Sequence, residues 1–133
     1  MEIPAGAEVI EMPSSTIWFD KEGILYSVSK EPPSGGRKME DIKAEMDRFR
    51  QILGPRKVCI ILASNTGTES PPREQRDLIS RELNSIAKAI AVISPSPLSR
   101  MVANLFFSFK PPAYPMKIFS SQHDARNWIR QYI

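Results

Sequence analysis

Asn65, Thr66, Thr68 and Ser70 place one amide and three hydroxyls in the short stretch Ser64-Asn65-Thr66-Gly67-Thr68-Glu69-Ser70. The apolar run VCIILA precedes this stretch, and a helix-forming sequence follows it. Free backbone N–H groups and the helix dipole favour negative charge at such a junction. The chemistry within reach is anion binding, or acceptance of a phosphoryl group on Thr66, Thr68 or Ser70. A phosphate there would add about two negative charges and would make or break a docking surface. A plainer reading stands beside it: Ser70 caps the helix, Gly67 turns the chain and the threonines hydrogen-bond the loop locally. The loop lacks Gly-Lys-Ser/Thr, so it is not built for a nucleoside triphosphate.

The other reactive side chains are few. There is one cysteine, Cys59, and one histidine, His123. An intrachain disulfide is impossible, and a zinc site of the usual kind would lack ligands. Cys59 falls inside the apolar run and reads as a small buried hydrophobe, with no base to activate it. His123 falls in the first turn of a helix and reads as solvated. Asp20 and Glu22 are turn acids, and Glu40, Asp41, Glu45 and Asp47 form a largely solvated helix face. No Ser-His-Asp order and no Gly-x-Ser-x-Gly elbow is present. The expectation is no catalytic residue, no metal, no cofactor and no enzymatic activity.

The bulk numbers exclude further classes. A chain of 133 residues suits one domain and can bury a core without staples. Apolar residues at 41% and charged residues at 25% make an ordinary globular mix. The net charge is only +3, and Glu45 and Asp47 lie close to Arg48, Arg50, Arg56 and Lys57 in sequence. Nucleic-acid binding needs cations gathered on one face, so it is not expected. The opening MEIPAGAEVIEM carries acid rather than a basic leader, so no secretory signal is expected. VCIILA and MVANLFFSF fall far short of the ~20 residues of a spanning helix, so no stable membrane insertion is expected. A cytoplasmic, bacterial-type protein in a reducing compartment is the natural expectation.

These residues need elements to hold them. Residues 1–14 read as a loose arm with a short strand over 8–12, ahead of a domain over 15–133. A strand over 16–19, the turn Asp20-Lys21-Glu22-Gly23 and a strand over 24–29 form a hairpin. Ile24, Tyr26 and Val28 alternate in its second strand and make it half buried. Ile42, Met46, Phe49 and Leu53 put one apolar face on a helix over 39–53, which Gly54-Pro55 ends. The strand over 57–63 is apolar on both faces, as a strand covered on both sides should be. The next helix opens at Pro71 or Pro72, where Ser70 can serve as N-cap, and buries Leu78, Ile79, Leu83 and Ile86. A strand over 89–94, a helix over 97–109 and a strand over 116–120 follow. A last helix opens at Ser121 with Asp124 as capping-box partner and turns Ala125, Trp128, Ile129 and Tyr132 inward. The order β-β-α-β-α-β-α-β-α predicts a single α/β domain. Its sheet is mostly parallel, with four or five strands and helices on its faces.

The helix over 97–109 is unusually apolar. Leu98, Met101, Val102, Leu105, Phe106 and Phe109 share one side, and Ala103 and Phe107 widen it. Such a helix is buried on more than one side. Either the arm covers it, or Ala103, Phe106 and Phe107 form a surface for a protein partner or a homodimer. It lacks the basic face of a membrane-surface helix. A reading from another class is a carrier of a small apolar ligand or lipid, with a pocket under this helix lined by Met101, Leu105, Phe106 and Phe109.

The segments TIWFDKEGILYSVS, VCIILASNTGTESPP, AIAVISPSPLSRMVANLFF and KPPAYPMKIFSSQHDARNWIRQY span most of residues 16–133. Their order, and the ending F-S-S-x-x-x-A-x-x-W, resemble the small STAS-like domains, named for sulphate transporters and anti-sigma-factor antagonists. The likeness is to the stand-alone bacterial members. It implies a STAS-like α/β fold and a non-enzymatic regulatory domain that binds a protein partner. In the antagonists, a serine at the start of the helix after the third strand is phosphorylated by the partner kinase. Ser70 is the nearest counterpart here. The antagonists carry an Asp-Ser pair followed shortly by Gly, whereas this chain has Glu69-Ser70 followed by Pro71-Pro72. The resemblance therefore carries over the surface rather than the switch.

Overall fold

A tight hairpin starts the sheet. Asp20 accepts through Oδ1 from the Glu22 N–H at 2.8 Å and the Ile24 N–H at 3.0 Å, and Gly23 supplies the positive φ of 83° that the turn requires. The computed structural model describes residues 3–30, 35–64, 72–94, 97 and 113–133. Among them the strands are β1 (Ile10–Glu11), β2 (Ser15–Phe19), β3 (Leu25–Ser29), β4 (Val58–Ser64), β5 (Ala87–Ile93) and β6 (Met116–Phe119). The helices are α1 (Met39–Leu53), α2 (Arg73–Leu83) and α3 (Gln122–Ile129), and a 3₁₀ turn follows at Arg130–Tyr132.

The six strands form one sheet in sequential order. β1, β2 and β3 pair antiparallel, and β3 to β6 pair parallel. The count exceeds the expected four or five because residues of the arm join the edge. Ile10 pairs with Ile17, and Met12 enters the core at 1% exposure.

Side-chain alternation builds two apolar layers on this sheet. Ile17, Leu25, Ile60 and Ile90 meet Met46, Phe49 and Leu53 of α1 and Leu83 of α2 on one face. Trp18, Tyr26, Val28, Cys59, Ile61, Ala89 and Ala91 meet Ala125 and Ile129 of α3 on the other. The small side chains of β5 leave room for α3, which lies over that strand. β3 is not half buried: Leu25, Tyr26, Ser27 and Val28 are all buried. Leu25 faces the layer of α1 and α2 while Tyr26 and Val28 face that of α3, so both faces of the strand are covered.

Local signals place the helix ends. Gly54, at φ 64°, closes α1 by donating its N–H to the Arg50 carbonyl at 2.8 Å. Ser121 Oγ accepts from the Asp124 N–H at 3.2 Å and starts α3 as expected. α2 begins later than expected, at Arg73 with Pro72 as N-cap and no side-chain cap bond. Pro72 itself is extended, at ψ 154°, so the helix opens only after it. α2 also ends before Ile86, which is buried in the turn leading to β5. Of the helix expected over 97–109, only Pro97 falls within the described residues, in helical conformation. No helix among the described residues is long and apolar enough to cross a membrane.

Candidate functional site

The carboxyl ends of the parallel strands carry the rim to which the sequence directs attention. Ser29 and Ser64 are backbone partners there, at the ends of β3 and β4. Asn65, Thr66, Thr68 and Ser70 lie outside the described residues. So do Ala103, Phe106 and Phe107 of the expected partner surface, and Met101, Leu105 and Phe109 of the expected carrier pocket. What the structure describes is the frame on which the loop 64–70 is mounted.

That frame centres on Glu45. The residue does not belong to a solvated helix face: it is 5% exposed. Its Oε1 accepts from the Ser14 N–H at 3.2 Å and from Ser15 Oγ at 3.2 Å, and its Oε2 accepts from Ser14 Oγ. A buried carboxylate needs such donors to offset its lost hydration. Beside it, Lys30 Nζ donates to the Met12 carbonyl at 2.9 Å and pairs with Glu11 at 2.7 Å. The Lys30 hydrogen bond, then that of Thr16, holds the Glu11 carboxyl below its ordinary value. Arg37 donates to the Ser14 carbonyl at 3.3 Å and to the Lys30 carbonyl. Gln75 Nε2 donates to the Arg37 carbonyl at 2.6 Å and ties in the first turn of α2. The arm, β2, β3, the approach to α1 and α2 are thus braced together under the rim. Arg73, Glu74, Arg76 and Asp77 remain exposed on the outer side of α2.

A second polar chain fixes the hairpin to α3. Arg126 Nε donates to Tyr26 Oη at 2.9 Å, and Tyr26 Oη donates to Asp20 Oδ2 at 2.8 Å. Trp18 stacks on Tyr26 with centroids 5.5 Å apart and planes 3° apart. Burial, and then the Asp20 hydrogen bond, push the Tyr26 phenol up, while Arg126 opposes them. These groups are occupied in holding the layers together.

The remaining candidates are equally structural. Cys59 is 3% exposed, with Sγ 3.9 Å from the Ile129 carbonyl. Burial pushes its thiol up, against the pull of Lys88, which is the opposite of an activated nucleophile. His123 is exposed, with Nε2 3.1 Å from the Asn127 amide. No cluster of three or more His, Cys, Asp or Glu side chains that could hold a metal occurs among the described residues.

The family described as "Domain of unknown function (DUF7793)" matches residues 17–133. The chain belongs to that family. DUF7793 thus takes in all of the domain except β1 and the start of β2. The structure is similar to that of an uncharacterised DUF3478 protein with a SpoIIAA-like fold from Shewanella loihica PV-4. The two share a TM-score of 0.54 and 12% identity over 97% of this chain and 98% of that one. The fold of this DUF7793 chain is accordingly SpoIIAA-like, of the STAS type. A protein of unknown function from Arthrobacter sp. FB24 matches 98% of each chain at 21% identity, with a TM-score of 0.26. No curated protein matches.

Lys30, Arg37 and Gln75 are not among the residues the sequence singles out, and Glu45 is placed by it on a solvated helix face. A signal for Glu45 exists: it lies three residues after Ile42 and four before Phe49, on the inner stripe of α1. The other three reveal themselves only through partners distant in sequence.

Proposed function

We propose that this chain is a non-enzymatic regulatory module that binds a protein partner through the loop 64–70 and the first turns of α2. The observation that carries the reading is the braced rim. Glu45, Arg37 and Gln75 use their polar groups to immobilise the base of the surface, while Arg73, Glu74, Arg76 and Asp77 stay in solvent. A preorganised surface loses little entropy on binding, and exposed mixed charge steers a complementary partner. The SpoIIAA-like fold and the likeness to anti-sigma-factor antagonists support the same surface.

The test is affinity capture from the native cell with three forms of the chain: wild type, Arg73→Glu/Arg76→Glu, and Lys43→Glu as a control on the exposed face of α1. A partner held by wild type and control but lost by the double variant is expected. Equal retention by all three would sink the reading. Phosphosite mapping after incubation with kinases from the same cells tests for a switch on Thr68 or Ser70. An unmodified loop would restrict the module to constitutive binding.

A further inference from the structure

The amino ends of the parallel strands carry a different feature. Lys57 before β4, Asn84 and Lys88 around the start of β5, Tyr114 and Pro115 before β6, and Tyr132 after α3 line an open groove of about 540 Å³. That volume falls within the range of roughly 300–1,000 Å³ that small-molecule sites occupy. The groove draws on segments from both layers. Tyr114 belongs to the core under α1 and α2, and Tyr132 packs against the core under α3.

Lys88 reaches this place through a defect in the sheet. Val58 pairs with Ala87 and Cys59 with Ala89, so Lys88 is an extra residue without a partner across β4. Such a bulge re-aims the side chain of the inserted residue. Its neighbours Ala87 and Ala89 are buried, while Lys88 is exposed. Neither the Lys88 nor the Lys57 side chain has an ion pair or hydrogen bond among the described residues. Among the described residues, no carboxylate side chain lines the groove. Glu82, the acid in the last turn of α2, is already paired with Arg50. Two ammonium groups without a charge partner among the described residues therefore face one concavity.

The walls are planar and held in place. Tyr114 is 6% exposed, and burial pushes its phenol up against a hydrogen bond with Ser80. The Tyr132 ring packs on Trp128 with centroids 5.1 Å apart at 60°. Cations beside fixed aromatic planes match an anion carried on a flat apolar body.

We propose that this groove binds a small organic anion, an aromatic phosphate or carboxylate. Lys57 and Lys88 hold the anionic head, the Asn84 amide donates to it, the half-buried Tyr132 packs against the ring and the buried Tyr114 backs the groove wall. The site is independent of the rim, which lies at the other end of the same strands.

Titration of the full chain with phenyl phosphate, benzoate, inorganic phosphate and phenol, followed by NMR, tests it. At least one aromatic anion should saturate the protein and shift resonances of Lys57, Lys88, Tyr114 and Tyr132. It should bind about tenfold more tightly than phosphate or phenol alone. Whichever aromatic anion binds more tightly identifies the head group. Lys57→Gln and Lys88→Gln should each weaken binding by about tenfold, the scale of one charge-assisted hydrogen bond. Lys43→Gln should not change it, and all three variants should melt like wild type because the replaced side chains are exposed. No saturation by either aromatic anion would overturn the proposal. So would shifts confined to other surfaces, or an affinity indifferent to both groove lysines.

Discussion

Glu45 shows how one side chain can decide where a segment docks. Its carboxylate receives three donors from Ser14 and Ser15, some thirty positions away in sequence. Glu45→Ala would leave those donors buried without acceptors, at a cost of about 1–3 kcal/mol. Glu45→Gln retains one acceptor oxygen and should cost less. Urea unfolding of the two variants checks the ranking, and an Ala variant as stable as wild type would refute the role. Tyr26, Tyr114 and Cys59 make a separate prediction, because burial raises all three pKa values in the folded state. The folded chain then keeps protons that the unfolded chain has already released. Their stabilising contribution is complete below the unfolded values and is lost as pH rises through about 9–10 toward the folded ones. The melting temperature should fall across that alkaline window. Tyr26→Phe should start lower, since it strips Asp20 and Arg126 of a partner, and should fall less steeply.

At the scale of elements, caps and turns govern where each piece begins. Ser121→Ala removes the acceptor for the Asp124 N–H and should destabilise the chain by about 1 kcal/mol, read as a lower urea midpoint. Gly23 has open space around a Cβ, so Gly23→Ala meets no clash. The left-handed backbone alone should make it cost about 1–2 kcal/mol. Both elements were legible because their signals are local: a serine three residues before an acid, and a glycine after an acid-rich turn. The start of α2 was less legible. Ser70, the expected cap, lies outside the described residues, and the N-cap is Pro72, which offers no side-chain acceptor. The burial of β3 misled for another reason. Ser27 looks like an outward residue in an alternating strand, yet it is 7% exposed, on the face where Leu25 joins the layer of α1 and α2.

At the scale of the molecule, the apolar stretch over 97–109 supports one more expectation. If Ala103, Phe106 and Phe107 cover a second copy, the wild-type chain should run as a dimer in size-exclusion chromatography with light scattering. Phe107→Glu should then run as a monomer. A monomeric wild type would end that idea and leave the rim and the groove untouched.

The helix stripes, the hairpin, the α3 cap and the parallel order of strands were determined by the sequence alone. Each rests on spacings of two to four residues or on one stereochemical constraint. The braced rim and the groove were decided by tertiary structure. Glu45 meets Ser14 only because α1 folds over β2, and Lys57, Lys88, Tyr114 and Tyr132 converge only because parallel strands align their amino ends. The bulge at Lys88 depends on how two strands whose paired residues lie about thirty positions apart settle their register. That choice is made by packing across the sheet, and neither strand encodes it alone.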